Sequence, residues 1–245
     1  MADFSMKIAG HTARVTPLFE STPQYFRFYL TDDTPEFSIN VTRENIDFEQ
    51  TDLLEEAHRD GFKPRVFTDP FLERAAIQRA FAEYLFDHGI LLFHGSAIAV
   101  DGKGYLFTAH SGTGKSTHTR LWQQTFGDRA VMVNDDKPFL ELREDSVWLH
   151  GSPWSGKHGL DANICVPLQG LCILERGKEN HIAPIDAQEA LPMLQKQAYR
   201  PLADEKESAF LQLTGQLSCS ASLWKMACNK DPEAPQIAYN AMCKP

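Results

Sequence analysis

The segment Ala109-His110-Ser111-Gly112-Thr113-Gly114-Lys115-Ser116-Thr117 lies between an apolar run, Tyr105-Leu106-Phe107, and a helix-like run from Ser116 to Phe126. Strand, glycine-rich turn, lysine, hydroxyl and helix, in that order, is how α/β proteins hold a nucleotide triphosphate. Glycines let backbone N–H groups turn inward around phosphate oxygens. The helix N-terminus adds partial positive charge, Lys115 adds a full one, and Ser116 suits Mg²⁺. The usual pattern G-x-x-x-x-G-K-[ST] has Ala109 in place of its first glycine, which gives up some freedom at φ > 0 without abolishing the loop. The nucleotide-binding expectation therefore covers Ser111, Gly112, Thr113, Gly114, Lys115, Ser116 and Thr117, with Thr117 reading more as a helix-start residue than as a second metal ligand. The competing interpretation is a surface Gly/Ser/Thr turn before a helix.

The rest of the chain supports an α/β class. Asp69-Pro70 opens a helix that Gly89 can end. Ile90-Leu91-Leu92-Phe93 runs into His94-Gly95. Asp101-Gly102 is a tight-turn pair, predicting a hairpin of Ser96–Val100 and Gly104–Thr108. Ala130 to Val133 predicts a short buried strand ending at Asn134-Asp135-Asp136. Further strands are predicted at Phe139–Leu142, Val147–Leu149, Val166–Leu174 and Ser222–Cys228. Helices are predicted from Asp186 to about Tyr199, with Pro192 marking a kink or later start, from Glu205 to Gly215, and from Asp231-Pro232 to Met242. Residues 1–68 read as a small, mostly β appendage: an antiparallel sheet using Phe26–Leu30 and Phe37–Val41, then a helix or loop near Asp47 to Asp60. The expected organisation is a β-rich region at 1–68 and a phosphate-loop domain at 69–245.

Asp135 and Asp136 are the second informative feature. A strand after the loop helix commonly delivers an acid to the metal side of the nucleotide. One carboxylate can hold Mg²⁺, and the other can take the proton of an attacking hydroxyl. The plain alternative is a turn, since Asn-Asp-Asp-Lys-Pro has turn composition. Asp135 is the first choice as base and Asp136 as metal ligand, with the reverse nearly as good. His94 either stabilises a transferring phosphoryl group, organises the aspartates, or is a structural histidine. The 151–159 loop is either a second anion loop or an ordinary Gly/Pro turn. Trp154, Gly156 and Lys157 are its candidates for walling the pocket or neutralising charge, and Arg200 is a further candidate phosphate clamp.

Composition sets the outer limits. A net charge of −9 over 245 residues argues against a nucleic-acid surface. Five cysteines without C-x-x-C read as reduced thiols of a cytoplasmic protein. No run approaches bilayer length, so no membrane partner is expected, and Met1 to Lys7 does not read as a targeting sequence.

His94-Gly95, S-G-T-G-K-S at 111–116 and Asp135-Asp136 together resemble the nucleotide-binding core of HPr kinase/phosphorylase. The order of loop and Asp-Asp also resembles ATP-dependent phosphoenolpyruvate carboxykinase. The end of the chain, Leu223-Trp224 to Met242, looks like the close of HPr-kinase-like proteins found beside modified-peptide gene clusters. The resemblance covers roughly residues 88–245 and implies a mixed-sheet P-loop core of that type. It implies Lys115 on the β/γ-phosphates, Ser116 on Mg²⁺, one aspartate as base, and His94 in the same pocket. The implied function is ATP- and Mg²⁺-dependent transfer of a γ-phosphoryl group to a hydroxyl of a peptide, a protein or a small molecule. It also implies a homo-oligomer of undetermined number. The glycine-rich signature of true HPr kinases has no counterpart here, which argues against HPr as acceptor. The alternative function is an ATP-binding sensor or accessory protein for a peptide-modifying enzyme.

Overall fold

A computed structural model describes residues 2–59, 61 and 63–243. The chain forms two compact units, Met1–Leu85 and Phe86–Pro245.

In the first unit, β1 (Phe4–Ile8) and β2 (His11–Thr16) pair antiparallel, and β3 (Phe37–Asn40) joins β2 in parallel. The sheet is thus mixed, not antiparallel throughout. Phe26–Leu30 is not a strand. The short helix α1 (Thr22–Tyr25) leads into it, and burial follows helical rather than strand spacing. Phe26 and Tyr29 are buried whereas Phe28 is 67% exposed, where a strand would bury alternate residues. The region near 47 is helical, as α2 (Arg43–Arg59), while Asp60 lies outside the described residues. Its 17 residues outnumber the 5, 6 and 4 of the three strands combined, so residues 1–68 are α+β rather than mostly β. Helix α3 (Asp69–Phe86) starts where Asp69-Pro70 predicts. The division between units falls at its end, not before it at 68/69.

The second unit contains β4 (Ile90–Leu92), β5 (Ser96–Val100), β6 (Lys103–Thr108), α4 (Lys115–Phe126), β7 (Ala130–Asn134), β8 (Phe139–Leu142), β9 (Val147–His150), β10 (Cys165–Arg176), β11 (His181–Pro184), α5 (Ala187–Gln197), α6 (Glu207–Ser220), β12 (Leu223–Cys228) and α7 (Ala234–Met242). The strands pair in the order β4-β8-β9-β10-β6-β5-β7, with β12 on β10 and β11 on β12. The β5–β6 hairpin forms as predicted, its turn held by Asp101 at φ 52° and Gly102 at φ 77°, the left-handed pair a two-residue hairpin needs. Long β10 links the two halves of the sheet. It runs antiparallel to β9 through Pro167 and parallel to β6 from Leu168. Gly104 permits the crossing, since a Cβ there would lie 2.9 Å from Leu149 and 3.0 Å from Val166.

Strand alternation builds a helical layer on each face. Ala97, Ala99, Leu106, Leu171 and Ile173 pack with Ala190 and Leu194 of α5 and Phe210 and Leu217 of α6. The intervening Ile98, Val100, Tyr105, Phe107, Cys172 and Leu174 pack with Trp122 and Phe126 of α4 and Ala234, Ala238 and Met242 of α7. Strands covered on both faces read as continuous apolar runs, which is why β6 and β10 stood out in the sequence. Strand β7 departs from expectation. It closes the pairing order as an edge, Val131 is 44% exposed, and only Met132 to Asn134 are buried. Pro192 sits inside α5 without ending it, and Gln188, whose carbonyl loses its helical donor to the proline, is an exposed residue.

Helix α4 also carries a pH-sensitive packing group. His118 is 2% exposed, and its Nε2 accepts the Trp122 indole N–H at 3.0 Å. Its Nδ1 has no partner among the described residues. Burial lowers its pKa to about 4, so at pH 5 the unfolded chain binds a proton that the folded chain refuses. Stability therefore falls as pH drops through 6.5, by on the order of 2 kcal/mol between pH 7 and pH 5. His118→Gln keeps an acceptor for Trp122 and removes this slope. Urea midpoints at the two pH values, followed by tryptophan fluorescence, check it. An unchanged slope in the variant would show that His118 is not the group responsible.

Candidate functional site

Three chain connections meet at one end of the β4–β7 region. The first is the turn between β6 and α4. Gly112 and Gly114 have φ of 75° and 122°, and a Cβ on either would meet nothing within 4 Å. These glycines are required for backbone conformation, not for space. Ala109 is fully buried in the core with Phe107 and Trp122 and is not at positive φ. Alanine in the first-glycine position therefore costs the turn nothing. No side chain caps α4, so its first N–H groups point into the turn without an acceptor from a capping residue. Lys115 Nζ folds back to donate to the Ala109 carbonyl at 3.2 Å. The Ser116 hydroxyl has no partner among the described residues.

The second connection follows β7. Asn134 is fully buried, and its Oδ1 accepts the backbone N–H of Asp136 at 2.7 Å and of Lys137 at 2.6 Å. Its Nδ2 donates to the carbonyls of Ser152 at 2.8 Å and Trp154 at 3.4 Å. One side chain thus fixes the aspartate turn and ties it to the 151–161 loop. Ser152 adds a bond to the Lys137 carbonyl at 2.6 Å, and the Asp135 N–H reaches the Leu160 carbonyl at 3.1 Å. Gly151 is obligatory here, because a Cβ would fall 1.8 Å from the Ala162 carbonyl oxygen.

The third connection, Phe93-His94-Gly95, joins β4 to β5. Phe93 N–H reaches the Pro138 carbonyl at 3.0 Å, Gly95 N–H the Asp136 carbonyl at 3.0 Å, and Thr108 Oγ1 donates to the His94 carbonyl at 3.0 Å. A side chain on Gly95 would meet Leu106 at 2.7 Å. The histidine is thereby clamped between the aspartate turn and the end of β6.

The two aspartates have different surroundings. Asp135 is 6% exposed and accepts the Ser96 hydroxyl at 2.6 Å. Ser96 also meets Thr119 of α4 at 2.7 Å. Ser96 has one proton, so with it on Asp135, Thr119 supplies the other. Thr119 lies one turn along α4 from Ser116, so this chain of hydroxyls links Asp135 to the start of that helix. Asp136 instead faces His94, Oδ1 to Nε2 3.4 Å, and lies against Gly156, where a Cβ would be 3.2 Å from its own.

Burial dominates the electrostatics. It raises the Asp136 pKa, opposed by Lys137 and Lys115 and reinforced by Asp135. It lowers that of Lys115, opposed by Asp136 and Asp135 and reinforced by Lys137. Burial, then Lys137 and Lys115, push His94 far below the ordinary imidazole range. The His94–Asp136 contact is accordingly that of a neutral imidazole, despite its ion-pair distance. Such a site holds two lysines and two carboxylates in near balance, ready for an anion that brings its own metal.

The structure thus brings together His94, Lys115, Ser116, Asp135, Asp136 and Gly156. It places Trp154 otherwise: the residue is 7% exposed, with its ring edge-on to Phe139 at 6.4 Å, so it anchors the loop in the core. Lys157 lies on an exposed single turn, Gly156–His158. Arg200 is engaged by Glu207 at 3.1 Å and lies over Phe210. Ser111 is exposed at the rim of the turn, Thr113 N–H bonds back to His110, and Thr117 N–H bonds to Gly114 as part of the helix start. Sequence reasoning missed Ser96, Thr119, Asn134, Ser152 and Lys137. The signals were an Asn closing an apolar strand just before the acids, and a Ser directly after His94-Gly95.

Among solved structures, the chain is similar to the Hpr(Ser) kinase/phosphatase from Coxiella burnetii at 10% identity and a TM-score of 0.37, over 61% of this chain and 95% of that one. At that score the likeness carries no weight for function. No curated protein sequence matches. Among the described residues no helix is long and apolar enough to cross a membrane. The family model described as SynChlorMet cassette protein ScmC matches residues 75–210, over half the chain, and the protein belongs to that family.

Proposed function

We propose that this protein is an ATP- and Mg²⁺-dependent phosphotransferase, acting in the cytoplasm, that moves the γ-phosphoryl group to a hydroxyl of a peptide, a protein or a small molecule. The observation that carries the reading is the convergence of an uncapped, glycine-shaped helix start bearing Lys115 and Ser116 with two unlike carboxylates and a neutral histidine. A binding module has no use for a second carboxylate set against a histidine; a transferase does. The residues fit Mg-ATP: N–H donors and Lys115 for the phosphates, Ser116 and Asp135 for a hard cation. Bound Mg²⁺ would supply neutralising charge on the phosphate oxygens.

The geometry favours the reverse of the first-choice assignment made from sequence. Asp135 is tied through Ser96 and Thr119 to the helix that presents Ser116, which suits metal holding. Asp136 is the more exposed, faces neutral His94 and borders the 151–161 loop, which suits taking the acceptor's proton. Its raised pKa keeps it a competent base once ionised. Lys115, with Lys137 beside it, would offset charge on the transferring group, so catalysis is mainly alignment and electrostatics.

The direct test is calorimetric titration of the protein with Mg-ATP, then incubation of a cell extract with the protein and γ-labelled ATP and identification of the labelled species by mass spectrometry. Micromolar-range Mg-ATP affinity and a labelled hydroxyl are expected. Absence of nucleotide binding would sink the reading, and binding without any transfer would leave the sensor reading in its place.

A further inference from the structure

A second cation reaches the same turn from the neighbouring strand. Arg176 is the last residue of β10, which runs parallel to β6, the strand that feeds the turn. Its Nη2 donates to the Gly112 carbonyl at 2.7 Å. That bond uses one of five guanidinium N–H donors. The charge is otherwise uncompensated among the described residues. Arg43, Arg79, Arg129, Arg143 and Arg200 each sit on a carboxylate. Glu175, the carboxylate adjacent in sequence, is instead taken by Lys225 at 3.1 Å. Arg27 and Arg120 likewise hold only a carbonyl, those of Gln24 and Ser116; what distinguishes Arg176 is that it reaches the turn's own Gly112 from a separate strand. Tying one carbonyl would need only a neutral donor.

We propose that Arg176 binds the terminal phosphates of the nucleotide, an inference that rests on the turn holding a triphosphate. Gly112 precedes Lys115 by three residues, and the lysine of such a turn serves the β/γ-phosphates. A guanidinium anchored at Gly112 therefore reaches the end of the phosphate tail where ATP and ADP differ. Its planar fork matches two phosphate oxygens, so the residue makes the site selective for the triphosphate.

The test compares Mg-ATP and Mg-ADP affinities of the wild type, Arg176→Ala and Arg176→Lys by calorimetry, with thermal melts to confirm folding. Arg176→Ala is expected to lose at least about tenfold for Mg-ATP, the worth of a charge-assisted contact, and about twofold or less for Mg-ADP. Arg176→Lys, keeping charge without the fork, should recover part of the ATP loss. Equal losses for the two nucleotides would mean that Arg176 only braces the turn, and no loss would mean that it plays no part; either overturns the proposal. A wild type that binds neither nucleotide would remove the triphosphate reading itself, a result distinct from both.

Discussion

Lys115→Ala reduces Mg-ATP affinity by at least about a hundredfold and abolishes transfer, while the far-ultraviolet spectrum and the thermal midpoint stay close to wild type. The ammonium lies within the field of both aspartates and also bonds the turn itself, through the Ala109 carbonyl. Without it, of the two lysines that act on Asp136 only Lys137 remains, and the carboxylates repel an incoming polyphosphate strongly in a partly buried site. The turn persists because Gly112, Gly114 and the Thr113-to-His110 bond shape it without the lysine. The contrast is Lys157→Ala, on an exposed turn with no bond to the aspartates, where affinity should change by no more than about twofold, as for other exposed charges. Calorimetry on both variants decides the matter. Retained Mg-ATP affinity in Lys115→Ala would place the nucleotide elsewhere.

Much of the second unit was legible because its signals are local. The β5–β6 hairpin follows from Asp101-Gly102, the strand-turn-helix from the glycines and lysine, and α5 from its Asp186 cap. What sequence could not supply was the long-range pairing. Nothing local indicates that β10 turns from β9 to β6, or that Gly104 and Gly151 are demanded by chain crossings rather than by turns. The same limit applied at the site. Asp135 and Asp136 are indistinguishable as a dipeptide, and only the tertiary hydroxyl chain from Ser96, 39 positions away, separates them. Trp154 and Arg200 looked available because a tryptophan in a glycine loop and an arginine beside proline carry no local sign of the ring or carboxylate that occupies them. In the first unit, aromatic Phe26–Leu30 imitated a strand because its buried pair is spaced by three within a run too short to reveal the period.

Separate substitutions of the two acids have separate consequences. Asp136→Asn lowers phosphoryl transfer by about 10³-fold, within the range for loss of a general base, and changes Mg-ATP affinity little. Asp135→Asn raises the Mg²⁺ concentration needed for tight nucleotide binding at least about tenfold, since a carboxylate ligand is exchanged for a weaker amide oxygen. Ser96→Ala produces the same Mg²⁺ effect in milder form, because it frees Asp135 from its 2.6 Å bond without removing the charge. The pH dependence has a definite sign. Asp136 has a raised pKa, so it stays protonated to higher pH than an ordinary carboxyl. A protonated acid cannot accept the acceptor's proton, so transfer falls as pH drops through that raised value and recovers above it. His94 stays neutral throughout this window and adds no second inflection. Nucleotide binding titrated with Mg²⁺ separates the acids even before the acceptor is known, and turnover on the labelled acceptor completes the comparison. If Asp135→Asn stopped transfer with its Mg²⁺ requirement intact, and Asp136→Asn shifted that requirement, the two roles would have to be exchanged; unaltered behaviour in both variants would remove the carboxylates from the mechanism.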